Sequence, residues 1–413
     1  MGRGANLVLQ AAYFILLART LGANEFGIFS GAVALAAIAT PYSALGSGML
    51  FMRYVSADSK KFAVYWGNIL AATIGIGSVL SVGVCLVGRH WLSSTSLYLI
   101  LLVAIDNCVI FQILACIGQM FQAYEQLRMT AALSVLTNFL RVIAVSGMLV
   151  VLPHRTASEW ALLSLAVSAI ATLVGCAIVT RKFGWPRFSP RLFAQRAAEG
   201  LNYSFAGSTQ SVYNDIDKTM LSHYGMTLAN GIYTVAYRTV DVATTPIVAL
   251  DAAALPRFFR QGAQDFKGVQ ALSMRLAKKA AYGGILAAVV MFAGAPLVPR
   301  IVGEGFAPAA AALRWLCLLP VFRGFHQLTG SAITGLGFQR YRTAGQFTCA
   351  VLNITLNVWL IPVYGWLGAA WASLATDGSL GVFNYIALRC LQDRVPKLSV
   401  EMQVQAFSRD CAS

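Results

Sequence analysis

The side chains best suited to chemistry lie inside apolar runs. Between Leu201 and His223, Ser204, Ser208, Ser211, Asp215, Lys218 and Ser222 recur at steps of four and three. At about 100° per residue these positions share an arc of roughly 80° on a helix. One face of that helix is polar from end to end, so it needs a hydrated cavity or a polar helix as its neighbour. Similar stripes are Thr234, Arg238, Asp241 and Thr245; Thr130, Ser134, Thr137 and Arg141; Arg323, Gln327, Gly330 and Thr334; and Asn6, Gln10 and Tyr13. Stripes from both halves of the chain point to a shared central cleft.

Counting all apolar runs, Arg19, Asp106, Arg141, Asp215, Asp217, Lys218, Arg238, Asp241, Asp251, Arg323 and Asp377 fall within them. Facing lipid, each would cost roughly 3 kcal/mol and together on the order of 30, an upper bound because those near helix ends snorkel. They must face protein or water. Two uses are open. Asp215 with Lys218, Arg238 with Asp241, and Asp106 with Arg141 are spaced or placed to form ion pairs that fix helix packing. Alternatively, the cations Lys218, Arg238, Arg141 and Arg323 bind an anionic cargo, while the carboxylates hold them or titrate. Arg19 lies off its stripe, where it can snorkel. His326 is either a protonation site near neutral pH or a hydrogen-bonded packing residue. Pro41, Pro246, Pro296 and Pro320 are candidate gating kinks or static bends.

Other chemistries find little support. The eight cysteines mostly sit singly in apolar runs without metal-like spacing, as small buried hydrophobes do. No phosphate-binding loop, serine-hydrolase elbow or long outer acidic loop is present, so no ATP-driven pump, hydrolase, metal or cofactor is expected.

The elements that position these groups follow from composition. The chain has 413 residues, 58% hydrophobic and only 11% charged, far below the roughly one quarter charged of a soluble domain. Apolar runs long enough to span a bilayer recur throughout. We place spans at Ala5 to Leu21, Phe26 to Met52, Phe62 to Val87, Leu92 to Phe121, Met129 to Leu152 and Trp160 to Thr180. Six more run from Leu201 to His223, Ala229 to Leu255, Ala280 to Val298, Trp315 to Leu336, Thr343 to Ile361 and Trp366 to Leu388. The start at Met1 is abrupt, and an upstream extension is expected. No cleavable signal in the usual sense is expected, since a second apolar run follows Arg19 directly.

With twelve spans both termini lie on one side. Placing them inside puts 22 Lys and Arg in inner connections and four in outer ones, so both ends are expected in the cytoplasm. The inner net charge equals the whole formal charge of +15. The basic balance therefore reports topology, and it gives no reason to invoke nucleic acid.

An internal repeat is visible. Gly27-Ile28-Phe29-Ser30 and Gly231-Ile232-Tyr233-Thr234 each precede a basic-aromatic pair, Arg53-Tyr54 and Arg257-Phe258, at a constant offset of 204. Gly22 and Gly225 precede them at nearly that offset. Six spans separate the copies, so the halves share one orientation about a pseudo-two-fold axis along the membrane normal. The fold expected is an all-α membrane protein of about twelve transmembrane helices in two six-helix lobes. The N-lobe covers 1–183, a basic amphipathic cytoplasmic linker 184–200, the C-lobe 201–392 and a cytoplasmic tail 393–413. In the linker, Ser189-Pro190 reads as a helix start, and Trp185 and Phe188 among arginines suit an inner-leaflet surface.

Several stretches carry a resemblance. Leu16-Leu17-Ala18-Arg19-Thr20-Leu21-Gly22, Glu25-Phe26-Gly27 and Arg53-Tyr54 resemble the opening of the oligosaccharide flippases of polysaccharide biosynthesis, within the multidrug/oligosaccharidyl-lipid/polysaccharide exporter superfamily. Asp215 to Leu221 resembles their seventh helix, Gly303 to Ala309 their outer loop, and Leu352-Asn353, Asn357, Ile361 to Gly365 and Gly368 to Ala370 their last two helices.

The resemblance implies two lobes in a V that opens alternately to either side of a bacterial cytoplasmic membrane. The cargo it implies is undecaprenyl-pyrophosphate-linked oligosaccharide, flipped outward for O-antigen, capsule or exopolysaccharide assembly. It also implies H+ or Na+ coupling and contact with polysaccharide assembly machinery. Arg19, Arg53, Asp217 and Lys218 match positions of interest. Two alternatives stay open. One is a cation-coupled multidrug exporter of the same superfamily, using Asp106 or Asp217. The other is a membrane polysaccharide polymerase or ligase.

Overall fold

The computed structural model describes all residues except 1, 57, 93, 152, 263–265 and 411–413, with backbone alone at 2–5 and 392–410. Every regular element among the described residues is helical. We number twelve helices: α1 (2–21), α2 (23–55), α3 (Phe62–Trp91), α4 (Leu97–Ala123), α5 (Leu127–Val151), α6 (Ala157–Phe183), α7 (Pro190–His223), α8 (Thr227–Gly262), α9 (Phe266–Gly294), α10 (309–335), α11 (Gln339–Tyr364) and α12 (Trp366–Asp410).

Eight helical stretches are both long and apolar enough to cross a membrane. One of them, Asn6–Ser43, holds both α1 and α2. The remaining three helices have identifiable reasons for reading as less apolar or shorter. α7 carries the polar stripe, α10 is divided into Ala309–Leu316 and Leu319–Gly335, and α12 carries Ser373, Thr376, Asp377 and Asn384 within its apolar part. Side chains such as Val79, Val82 and Leu86 on α3, Leu286, Val289 and Val290 on α9, and Trp359 on α11 are exposed. Bands of that size would aggregate in water, and lipid is their natural solvent. The chain is a multi-pass membrane protein.

The turns explain the breaks. Gly22, at φ 72° and ψ 171°, ends α1, and Gly225, also at φ 72°, separates α7 from α8. Left-handed backbone of this kind is nearly free for glycine and strained for other residues. α2 is interrupted between Ser43 and Ser47, where Leu45 and Gly46 take φ 44° and 62°. Pro41 lies just ahead of that break. Pro246 sits inside α8, Pro296 in a tight 3-10 turn, and Pro320 in the first turn of Leu319–Gly335, where proline costs little.

Two helices start earlier than hydropathy suggests. α9 begins at Phe266, well ahead of Ala280, because Val269, Ser273, Leu276 and Ala277 bury one face while Lys267, Arg275, Lys278 and Lys279 are exposed. α7 begins at Pro190, where the Ser189 hydroxyl accepts from the Leu192 amide at 3.4 Å and caps the helix. The expected helix start is thus present, and it runs without interruption into the seventh span.

The chain forms two compact units. The first comprises Met1–Val235, Leu297–Ala309 and Ile361–Trp366. Its apolar cores are one cluster around Phe51, Trp66, Ile69, Ile117 and Phe121 and another around Ala32, Leu99, Ile100 and Val103. The second comprises Ala236–Pro296, Ala310–Leu360 and Leu367–Ser413, with a core of Phe258, Leu276, Leu328, Ile333 and Leu388.

Candidate functional site: two intramembrane ion networks

In the first unit, the steps of four and three in α7 bring Asp215 and Lys218 one turn apart. Lys218 Nζ lies 2.6 Å from Asp215 Oδ1 and donates to the Asn214 carbonyl at 2.8 Å. Asp217 stands on the other side, 3.9 Å from the same ammonium. It accepts from the Lys218 amide at 2.7 Å and from the Tyr233 hydroxyl of α8 at 2.5 Å. Lys218 is only 3% exposed and Asp217 only 2%. Two carboxylates thus flank one ammonium, and two of the three side chains are buried in protein.

Two further positions of the α7 stripe bond to neighbouring helices. Ser208 donates to the Ile38 carbonyl of α2 at 2.9 Å, and Ser222 accepts from Asn230 at 2.9 Å. Asn230 also donates to the Gly27 carbonyl and to the Ser30 hydroxyl, at 2.9 and 3.2 Å. The backbones of α2 and α8 touch here. A Cβ on Gly27 would lie 1.8 Å from the Thr227 carbonyl, and one on Gly231 would lie 1.9 Å from that of Ala23. The openings of the two copies of the sequence repeat therefore pack directly on each other.

The other candidates of this unit have separate partners. Arg19 donates to the Arg300 carbonyl at 2.5 Å. Arg53, at the end of α2, pairs with Glu199 of α7 at 2.6 Å, and Tyr54 donates to the same carboxylate at 2.9 Å. Asp106 opens a π-helical turn, Asp106–Phe111, and accepts from Ser164 at 3.1 Å. Arg141 lies over the rings of Tyr13 and Phe111, at 5.5 and 5.8 Å. The expected Asp106–Arg141 ion pair is not formed within 4 Å. The guanidinium takes aromatic faces instead, a contact whose attraction grows in a dry setting.

In the second unit the arginines gather. Arg323 of α10, 9% exposed, pairs with Asp241 of α8 at 2.8 Å and with Asp377 of α12 at 3.3 Å. It also donates to the Tyr237 hydroxyl and lies 4.8 Å over that ring. Asp241 reaches Arg238 at 3.4 Å with its other oxygen. His326 Nε2 stands 3.8 Å from Asp377, whose side chain is 5% exposed. The cluster joins three helices, and its two arginines balance its two aspartates. Asp251, the remaining intramembrane acid of α8, accepts from Ser331 at 3.1 Å.

The structure thus assembles Asp215, Asp217 and Lys218 in one network and Arg238, Asp241 and Arg323 in another, and leaves Arg19, Arg53, Arg141 and Asp106 elsewhere. Sequence reading missed Asp377, Tyr233, Tyr237 and Glu199 as partners. For Asp377 a signal existed: Ser373, Asp377 and Asn384 lie at helical spacing in α12. For the tyrosines none did, because an aromatic in an apolar run reads as packing.

Comparisons with known proteins agree with this architecture. An inward-facing multidrug resistance MATE family transporter of the MOP superfamily is similar at 14% identity and a TM-score of 0.77, over 94% of this chain and 96% of that one. The lipid II flippase MurJ, in an inward closed conformation, is similar at 11% identity and a TM-score of 0.75, over 94% and 86%. A MOP superfamily transporter from Pyrococcus furiosus with a binding pocket of reverse polarity is similar at 13% identity and a TM-score of 0.60, over 95% and 94%. These likenesses show the fold. A search of the curated proteins finds no match. The family model for polysaccharide biosynthesis proteins matches residues 1–261, well over half of the sequence, and the chain belongs to that family.

Proposed function

We propose that this protein flips undecaprenyl-pyrophosphate-linked oligosaccharide from the cytoplasmic to the outer leaflet by alternating access, for O-antigen, capsule or exopolysaccharide assembly. The observation that carries the reading is the arginine pair of the second unit in a chain of the polysaccharide biosynthesis family. Arg238 keeps 52% of its side chain exposed beside the buried Arg323. An intramembrane guanidinium in that setting requires water or an anion as neighbour, and a pyrophosphate supplies one. Arg238 makes first contact in this scheme, with Arg323 behind it. Lys218 and Arg141 serve further along the path, and Asp215 and Asp241 hold cations between cargoes. Arg19 and Arg53 act at the ends of the path. The sugars cross in hydrated space and the lipid tails remain in the bilayer.

The supporting topology is two six-helix lobes, 1–183 and 201–392, joined by 184–200, with both termini and the 393–413 tail in the cytoplasm of a bacterial inner membrane. No enzymatic step is involved. H+ or Na+ coupling would fall to Asp217 or Asp106, and assembly machinery would receive the product.

Deleting the gene tests the reading. Lipid-linked oligosaccharide should accumulate on the inner leaflet, and normal outward delivery in the deletion strain refutes it. A second reading, a cation-coupled drug exporter, is favoured by the two carboxyl groups that flank the one ammonium in the Asp215–Lys218–Asp217 network. Drug resistance conferred on a sensitive host would put that reading first.

A further inference from the structure

In the second unit, one carboxylate joins two guanidiniums. Asp241 Oδ1 lies 2.8 Å from Arg323 Nη1, and Asp241 Oδ2 lies 3.4 Å from Arg238 Nη1. The other partners of Arg323 are of a different kind. Asp377 is 5% exposed in its side chain and holds Arg323 at 3.3 Å, with the Tyr237 hydroxyl adding a third contact. Arg323 therefore keeps a buried counter-ion whether or not Asp241 is in place. Asp241 is 34% exposed, and Arg238, its partner one turn away on α8, is 52% exposed. One end of the cluster is permanent, and the other is open.

We infer that Asp241 is a resident anion that occupies the place of a phosphate oxyanion, and that a pyrophosphate group displaces it from Arg238 and Arg323. A carboxylate and a phosphate present oxygens to guanidinium in the same planar, forked geometry. A phosphate carries more charge and more acceptor oxygens, so it gains more from two guanidiniums than one carboxylate does. Without any anion, two arginines would repel each other where charge is poorly screened. Asp241 removes that repulsion while no cargo is bound. It also lowers the apparent affinity of the site, because each incoming anion must first displace it. A carrier needs that weakness, since cargo must leave as readily as it enters. Once displaced, Asp241 is on the exposed side of the cluster, where water takes over its oxygens.

The inference rests on the proposed pyrophosphate-linked cargo, but its probe needs no lipid. Inorganic pyrophosphate is titrated calorimetrically into the full chain in nanodiscs. Asp241→Asn should bind it about tenfold more tightly than the unmodified protein, and Asp241→Asn with Arg238→Gln should lose that gain. Equal or weaker binding by Asp241→Asn, with its thermal midpoint unchanged, overturns the inference. If Asp241→Asn does not fold, Arg238→Gln in the unmodified chain decides: binding should fall, and unchanged binding overturns it. Tighter binding by Asp241→Asn without lipid-linked oligosaccharide build-up in the deletion strain would keep the anion site and reject the cargo.

Discussion

Thr234 donates its hydroxyl hydrogen to Ser30 at 3.3 Å, and the two residues stand 204 positions apart, the offset of the sequence repeat. Thr227 and Asn24 meet close by at 2.5 Å, at an offset of 203. The openings of the repeated segments are thus each other's packing surface as well as copies. Small residues let the α2 and α8 backbones approach, and hydroxyl and amide side chains bond across them, as membrane helices do where lipid gives no hydrophobic drive to associate.

That crossing has no room for a methyl group. Gly27→Ala and Gly231→Ala should each destabilise the protein by about 1–3 kcal/mol, seen as a lower thermal midpoint in detergent. Gly83→Ala, whose Cβ would meet nothing within 4 Å, should change little. Equal midpoints for all three would remove the crossing from the list of stabilising contacts.

The buried Arg323–Asp377 pair should behave as a unit. Asp377→Asn leaves a guanidinium without its permanent counter-ion and should cost about 3–5 kcal/mol. Arg323→Met with Asp377→Leu should recover much of that loss. A double mutant as unstable as Asp377→Asn would mean that the charges matter singly.

Lys218 and Arg238 should separate stability from transport. Lys218→Met leaves Asp215 and Asp217 without a cation in a buried network and should lower the amount of protein in the membrane. Arg238→Gln removes an exposed side chain and should leave abundance unchanged while export falls. Immunoblotting with an assay of outer-leaflet oligosaccharide reads both, and normal export by Arg238→Gln would remove it from the proposed path.

Topology is testable by labelling. In a background without native cysteines, Glu304→Cys and Arg155→Cys should react with a membrane-impermeant maleimide on intact cells. Lys60→Cys and Lys182→Cys should react only after permeabilisation. The opposite pattern would invert the charge argument.

Membrane class, the number of helices and the repeat offset were determined by sequence alone. Bilayer thickness and the cost of charge in lipid are strong enough to impress themselves on composition and period. Only the tertiary structure decided which partner each buried charge takes. Helical spacing shows that Asp215 can reach Lys218, yet it is silent on Tyr233, Asp377 and Tyr237, which arrive from other helices. It favoured Asp106 for Arg141, whereas packing gives Arg141 two aromatic faces. It left the α7 stripe between water and a helix, and the bonds of Ser208 to the Ile38 carbonyl of α2 and of Ser222 to Asn230 of α8 supply helices for part of it. Partner choice depends on how whole helices cross, and no local pattern along one helix records that.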